Sequence, residues 1–155
     1  MSVRFTRRDA IVAASAALLA IGVVRIVGAD TAVMGSRAVA WDTLKPEPTK
    51  VGEVRHVFQA PTATLDELES HITTLNPGQV PHAPHKHPDE EVLCLKEGTL
   101  EAYIGSETTR VGPGSVLFFA SNQLHGVKNV GTTPATYFIV KWNSPGMLKK
   151  KTETK

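Results

Sequence analysis

Short apolar runs separated by turn residues dominate the chain from Val51 onward, and this pattern is typical of β-strands. The turn signals between the runs are Asn76-Pro77-Gly78, Gly105-Ser106 and Gly112-Pro113-Gly114. The residues predicted to form strands are 71–75, 91–95, 99–104, 107–111, 115–119, 125–130 and 134–142.

Helix signals are weak in the same region. Leu65–Ser70 fits a single helical turn, and nothing longer has helical periodicity. Pro81–Pro88 is rich in Pro and His, and we expect it to be extended or irregular because proline cannot enter a central strand. Many short strands with turns between them predict an all-β sandwich or barrel made by a single domain.

The first 29 residues have the composition of an export signal. An arginine-rich start precedes the apolar stretch Ala10–Val24, which is shorter than the ~20 residues that a membrane-spanning helix needs. Small residues follow up to Ala29, which is a candidate cleavage site, and Ala40 is a second candidate farther along the chain. Residues 1–29 are therefore predicted to be a signal peptide that is removed.

The pair Arg7-Arg8 resembles the twin-arginine export signal. Cargo of that route crosses the membrane already folded, so a metal site would be filled before export. An ordinary secretory signal and an uncleaved anchor are the alternatives. We expect a bacterial periplasmic protein with no stable membrane association after signal removal.

The charged residues and the single cysteine limit the function classes. The formal net charge is +2, but much of the basic excess lies in the signal and in the tail, residues 144–155. The remainder is close to neutral, which argues against nucleic acid as a partner. Cys94 is alone, so no intrachain disulfide can form, and its apolar neighbours predict a small hydrophobe without a catalytic role.

A cluster of histidines and acids near the middle of the chain carries the strongest chemical signal. His85 and His87 alternate, so on an extended strand they face the same side. After a turn, Glu91 can return with its carboxylate toward the two imidazoles. Such a set suits a divalent first-row metal, and His125, which begins a predicted strand, is the candidate for a further ligand.

These residues resemble the first motif of the cupin family. That motif is a Gly, a short spacer, His-x-His, three or four residues, a Glu, six residues and a Gly. His85, His87, Glu91 and Gly98 match this spacing, whereas Gly78 lies one residue farther upstream than the motif expects.

The second cupin motif is matched in part. Gly114, His125 and Asn129 stand at the family's positions. Ala120 replaces the usual Pro and Asn122 replaces the usual Gly, and both changes fall in a turn. The departure puts the geometry of that turn in question and leaves the ligand positions intact.

The resemblance implies a cupin-type conical β-barrel, also called a double-stranded β-helix or jelly roll. It would occupy residues 51–143, with residues 30–50 as a linker or N-terminal arm. Because single-domain cupins commonly pair, we also expect a homodimer, to which residues 41 to about 60 could contribute a strand.

The resemblance also implies a set of metal ligands. His85, His87, Glu91 and His125 would hold a divalent ion such as Mn, Fe, Ni or Zn. The alternative is an empty site in which these polar groups bond to one another or to water, because leaving them unpaired would be costly.

Two classes of function are compatible with such a site. One is a metalloenzyme acting on a small organic molecule, for which dioxygenation is the most concrete reaction and Glu91 a possible base. The other is a non-catalytic binding or sensor module that holds a metal or a small ligand.

Three further histidines and three aromatic residues have no motif around them. His82 either lies at the mouth of the site or is simply solvated. His56 and His71 are treated as structural. The aromatic residues expected in the core or at an interface are Phe118, Phe119 and Trp142.

Overall fold

The structure is a computed structural model that describes residues 32–146. The predicted signal, its arginine pair and the cleavage site at Ala29 lie outside the described residues, as does the lysine-rich end of the tail. Within the described part, no helix is long and apolar enough to cross a membrane.

Nine strands and one short 3-10 turn, Trp41–Thr43, make up the regular structure of the described residues. The strands are β1 (Glu47–Thr49), β2 (Gly52–Ala60), β3 (Glu67–Leu75), β4 (Glu90–Glu97), β5 (Leu100–Ile104), β6 (Glu107–Val111), β7 (Val116–Phe119), β8 (His125–Asn129) and β9 (Ala135–Asn143).

The strands form two antiparallel sheets. Six strands make the larger sheet in the order β1-β2-β3-β9-β4-β7, and three make the smaller sheet in the order β6-β5-β8. Neighbours in space such as β3 and β9 are distant in sequence, which is the topology of a jelly roll. The predicted all-β fold class is confirmed.

Alternation along the strands separates an inner face from an outer face. In β4 the buried residues are Leu93 and Leu95, whereas Cys94 between them is exposed. The buried hydrophobic core consists of Leu75, Leu93, Leu95, Leu100, Ala102, Leu117, Phe119, Val127, Ala135, Tyr137 and Ile139. These side chains fill the space between the sheets, as the period of two predicts.

The same alternation corrects one expectation about a single residue and separates two neighbouring aromatic residues. Cys94 is not a buried small hydrophobe, because Leu93 and Leu95 take the inner face and leave its side chain outside. Of the aromatic residues expected in the core or at an interface, Phe119 is 1% exposed and lies in the core, whereas Phe118 is 51% exposed and lies on the outer face. An apolar run alone could not separate these two faces.

The N-terminal part of the described chain contains more strand than the sequence indicated. β3 begins at Glu67, so residues 67–70 are strand and the single helical turn considered for Leu65–Ser70 does not form. Pairing with β9 along the whole of β3 decides this. The arm over residues 30–50 contains β1, which pairs with β2 of its own chain.

Gly98 makes the tight turn between β4 and β5. Its φ is +90°, in the region that favours glycine, and an added Cβ would lie 2.5 Å from the Cα of Ala135. Position 98 therefore requires glycine, because the backbone conformation there favours glycine and Ala135 leaves no room for a Cβ.

Candidate metal centre

Backbone pairing brings the two histidine segments together. The amide of His85 donates to the carbonyl of His125 at 3.0 Å, and the amide of His125 donates to the carbonyl of His85 at 3.0 Å. The two residues form an isolated antiparallel bridge, which places them directly opposite each other. Two histidines that are far apart in sequence thus share one wall of the barrel.

The turn before β8 positions His87 and orients the ring of His125. Asn122 has a φ of +58°, and its amide donates to the carbonyl of His87 at 2.8 Å. Asn is among the non-glycine residues that best tolerate this conformation, so it can stand where the cupin motif has glycine. The carbonyl of Gln123 accepts from Nδ1 of His125 at 2.8 Å.

Asp89 orients the His87 imidazole through contacts with Nδ1. Nδ1 of His87 donates to the backbone carbonyl of Asp89 at 3.0 Å and lies 3.4 Å from its carboxylate. That carboxylate accepts a hydrogen bond from the side-chain amide of Asn143 at 2.6 Å. Such an outer carboxylate orients an imidazole so that its other nitrogen faces the site. Sequence reasoning did not identify Asp89 or Asn143 in this role.

The three imidazoles form a group that could hold a metal ion. One ligand atom from each of His85, His87 and His125 lies within 4.8 Å of the others. Nδ1 of His85 and Nε2 of His125 are buried and have no hydrogen-bond partner in the described structure. Buried polar atoms are rarely left this way, and a metal ion would satisfy them. The donor set therefore fits a divalent ion.

Glu91 lies beside this group rather than within it. One carboxylate oxygen is 3.5 Å from Nε2 of His87. Burial raises the pKa of the Glu91 carboxyl, while the neighbouring His87 and Lys141 act in the opposite direction. Its position suits either a ligand or a group that exchanges a proton with a bound molecule.

Burial also affects the protonation of the imidazoles. It lowers the pKa of His85 to about 4, and the nearby His82, His125 and His87 add to the effect by repulsion between like charges. His85 is therefore neutral at ordinary pH, which is the form that binds a metal.

A cavity of about 260 Å³ opens onto the three imidazoles. Phe119 stacks against His125 with ring centroids 4.5 Å apart and forms part of the apolar wall. The volume is slightly below the range of ~300–1,000 Å³ for sites that bind drug-sized molecules, so its size suits a small organic ligand.

A second polar cluster lies beside the metal centre, on strands β3 and β9, and was missed by the sequence analysis. Oε1 of Glu69 bonds to Nδ1 of His71 at 3.0 Å, and Oε2 of Glu69 bonds to Nζ of Lys141 at 2.8 Å. His71 and Lys141 line the cavity, so the interpretation of His71 as merely structural is incomplete. The alternation of Glu69, His71 and Thr73 along one strand was the available signal.

The remaining predicted residues divide between the cavity and the surface. His82 lines the cavity mouth, with its ring centroid 4.1 Å from that of His85. His56 is exposed, with Nε2 3.7 Å from the Glu47 carboxylate. Trp142 stacks with Phe118 on the outer face, away from Phe119.

Comparison with known families supports the fold. Residues 71–141 match the family model described as Cupin domain. No curated protein sequence matches the chain significantly.

Solved structures of similar fold are numerous and distant in sequence. An RmlC-like cupin from Shewanella frigidimarina has 12% identity and a TM-score of 0.59, over 72% of this chain and 95% of that one. A predicted oxalate decarboxylase from Thermotoga maritima has 19% identity and a TM-score of 0.57, over 69% and 99% of the two chains. A variant of Bacillus subtilis oxalate decarboxylase has 20% identity and a TM-score of 0.57, over 73% of this chain and 32% of that one. At these identities the likeness shows the cupin fold alone.

Proposed function

We propose that this chain, which has the cupin fold, is an exported metal-binding cupin that acts on a small organic molecule in its barrel. The ligands would be His85, His87, Glu91 and His125, with Mn, Fe, Ni or Zn as the ion. One observation carries the proposal: three imidazoles converge, and two of their buried nitrogens lack any other partner among the described residues.

A divalent ion held there would supply Lewis-acid chemistry and a template for an oxygen-bearing ligand. The residues of the chain supply the rest. His87 and His125 are fixed by backbone carbonyls, and Phe119 and the neighbouring apolar side chains restrict water. Glu91, with its raised pKa, is placed to hold or accept a proton from the bound molecule.

Dioxygenase-like turnover of a small molecule is the reaction that we propose first. Two of the similar structures are named as oxalate decarboxylases, so small carboxylic acids belong beside enols, flavonoids and thiols in the substrate panel. A binding or sensor role without turnover is the alternative, and it predicts ligand-dependent stabilisation without product.

Metal analysis of protein taken from its native compartment is the first test. We expect close to one divalent ion per chain, followed by oxygen uptake or product formation with a member of the panel. Metal-free protein that cannot be loaded with any of the four ions would contradict the proposal. Metal-loaded protein that binds but never converts a ligand would support the binding role.

Export by the twin-arginine route and assembly into a homodimer complete the proposal. The arginine pair Arg7-Arg8 supports the first. The exposed apolar side chains of β7, Val116 at 66% and Phe118 at 51%, support the second, since β7 is also the edge of the larger sheet.

A further inference from the structure

The second polar cluster of the cavity is defined by Glu69, His71 and Lys141. Strand register explains why it lies near the metal centre. On the inner face of the larger sheet, Lys141 of β9 pairs with Glu69 of β3 on one side and with Glu91 of β4 on the other. Lys141 therefore stands one strand away from a proposed metal ligand, in the same cavity.

The ammonium of Lys141 is held in place and keeps its charge. Burial acts to lower its pKa, but the bonded Glu69 carboxylate outweighs this effect and the net pKa is raised. Glu69 in turn has its pKa lowered to about 2, by its hydrogen bond to His71 and its pairing with Lys141. Both oxygens of Glu69 are thus occupied, whereas Lys141 has donated only one of its three N–H groups to it.

Fold stability does not account for this cluster. Replacing both partners of a buried ion pair with apolar residues of similar size is often neutral or stabilising, whereas removing one partner alone is destabilising. The inner face around it is apolar, with Ile139 and Leu93 in the next row. A lysine that lines a small cavity is suited to bind an anionic ligand.

The charges of the lining favour an anion once a metal is present. The charged side chains that line the cavity besides the histidines are one carboxylate, Glu91, and one ammonium, Lys141. A divalent ion would leave that lining with positive charge in excess. Glu69 and Asp89 do not line the cavity, and their two negative charges balance this excess of two, so the attraction for an anion is local, to the ion and to the Lys141 ammonium.

We propose that Lys141, held by Glu69, is the carboxylate-binding group for the ligand of the metal centre. The ligand class is a small organic acid whose carboxylate bonds to Lys141 while a second oxygen, a hydroxyl or keto group, reaches the metal. This inference rests on the proposed function, because it needs the metal at the three imidazoles. It narrows the ligand class to small acids and disfavours neutral enols and flavonoids.

Calorimetric titration of the Mn²⁺-loaded full chain tests the proposal with matched probes. Lactate and pyruvate are compared with lactamide and pyruvamide, which keep the second oxygen but lack the negative charge. We expect the acids to bind at least about tenfold more tightly than the amides, since hydrogen bonds to charged groups are the stronger ones. Equal affinity of acid and amide overturns the proposal.

Variants then assign the effect to one residue. Lys141→Met should abolish the preference for the acid, and Lys141→Arg should restore most of it. Lys128→Met removes a lysine of β8 that does not line the cavity, and it should leave the preference unchanged. A Lys141→Met protein that retains the full preference overturns the assignment. If that variant fails to fold, the double variant Glu69→Gln with Lys141→Met, in which both charges are removed, replaces it.

Metal content separates this inference from the proposed function. The number of Mn²⁺ ions bound per chain at saturation should be the same in the wild type and in Lys141→Met, because Lys141 is not a ligand. A wild type that takes up no divalent ion overturns the proposed function and this site together. A wild type that takes up Mn²⁺ but does not distinguish acid from amide overturns the carboxylate site alone.

Discussion

The four proposed ligands differ in how firmly each is held. His87 and His125 have Nδ1 bonded to a backbone carbonyl, and His85 is placed by its backbone bridge to His125. The carboxylate of Glu91 is positioned by the place of Glu91 in β4 and by its contact with Nε2 of His87. A metal centre built this way is organised by its imidazoles, with the carboxylate as an adjustable member.

Removal of ligands should therefore have graded effects on metal affinity. Glu91→Ala deletes one ligand and should weaken Mn²⁺ or Zn²⁺ binding less than the double variant His85→Ala with His87→Ala. The loss in the double variant should exceed the ~10–100-fold that changes outside the ligand set typically cause. Competition with a chelating dye measures both. The reverse order would show that the carboxylate, not the imidazoles, organises the site.

Glu69 should make the stability of the metal-free protein depend on acid pH. Its pKa is lowered in the folded protein to about 2, from an ordinary value of 4.5. The stabilisation is therefore complete above pH 4.5 and disappears as pH falls toward 2. Glu69→Gln should be less stable than the wild type at about pH 6, and the difference should shrink as the pH falls through that window. Urea unfolding across this range measures it, and a constant difference would contradict the assignment.

At the scale of elements, antiparallel pairing between distant strands positions the site. β9 lies between β3 and β4 and aligns the polar cluster with Glu91. β8 begins with His125 and pairs with β5. In the irregular segment before β4, His85 forms an isolated bridge to His125. The turns that end these strands consequently matter as much as the strands.

Gly98 is the turn residue with the clearest requirement. Gly98→Ala should lower the free energy of unfolding by about 2 kcal/mol or more, because the backbone is in a left-handed conformation and the new methyl group would meet Ala135. Gly112→Ala is the matched control, since nothing lies within 4 Å of its added Cβ. The control should change stability by no more than ~0.5 kcal/mol in urea unfolding. Equal effects of the two substitutions would refute the steric account.

At the scale of the whole molecule, the outer face of β7 is the surface that we expect a second copy to cover. Sedimentation of the mature protein should show a dimer at micromolar concentration. Phe118→Glu should shift it to the monomer, because a charge would be buried in an isologous contact. Leu124→Glu introduces the same charge on another exposed apolar residue and should leave the dimer intact. A wild type that sediments only as a monomer would remove the dimer from the proposal.

Export in the folded state is the other prediction at this scale. The double variant Arg7→Lys with Arg8→Lys should leave folded, metal-loaded protein inside the cell. Rerouting the domain through a signal for unfolded chains should give the same fold with more zinc or copper, because affinity for such ligands rises toward these metals. Fractionation with metal analysis measures both. Normal periplasmic levels of the lysine variant would indicate an ordinary secretory signal.

The sequence by itself determined the fold class and the positions of the imidazoles. Alternation with a period of two specifies strands, and the spacing of His85 and His87 puts both on one side of an extended segment, whereas His125 was identified by its match to the second cupin motif. Even Asn122, a departure from the family's glycine, keeps the conformation that the turn needs.

Only the tertiary structure decided which groups from distant parts of the sequence meet. Glu69 and Lys141 are far apart in sequence, and nothing local to either segment indicates that their strands pair. Asp89 and Asn143 meet for the same reason. Likewise, the sequence around Cys94 and Phe118 is apolar on both sides, so the choice of inner or outer face depends on the register of the assembled sheet. Pairing between strands that are distant in sequence depends on the stability of the whole barrel. This pairing places the cluster of Glu69, His71 and Lys141 beside the metal centre.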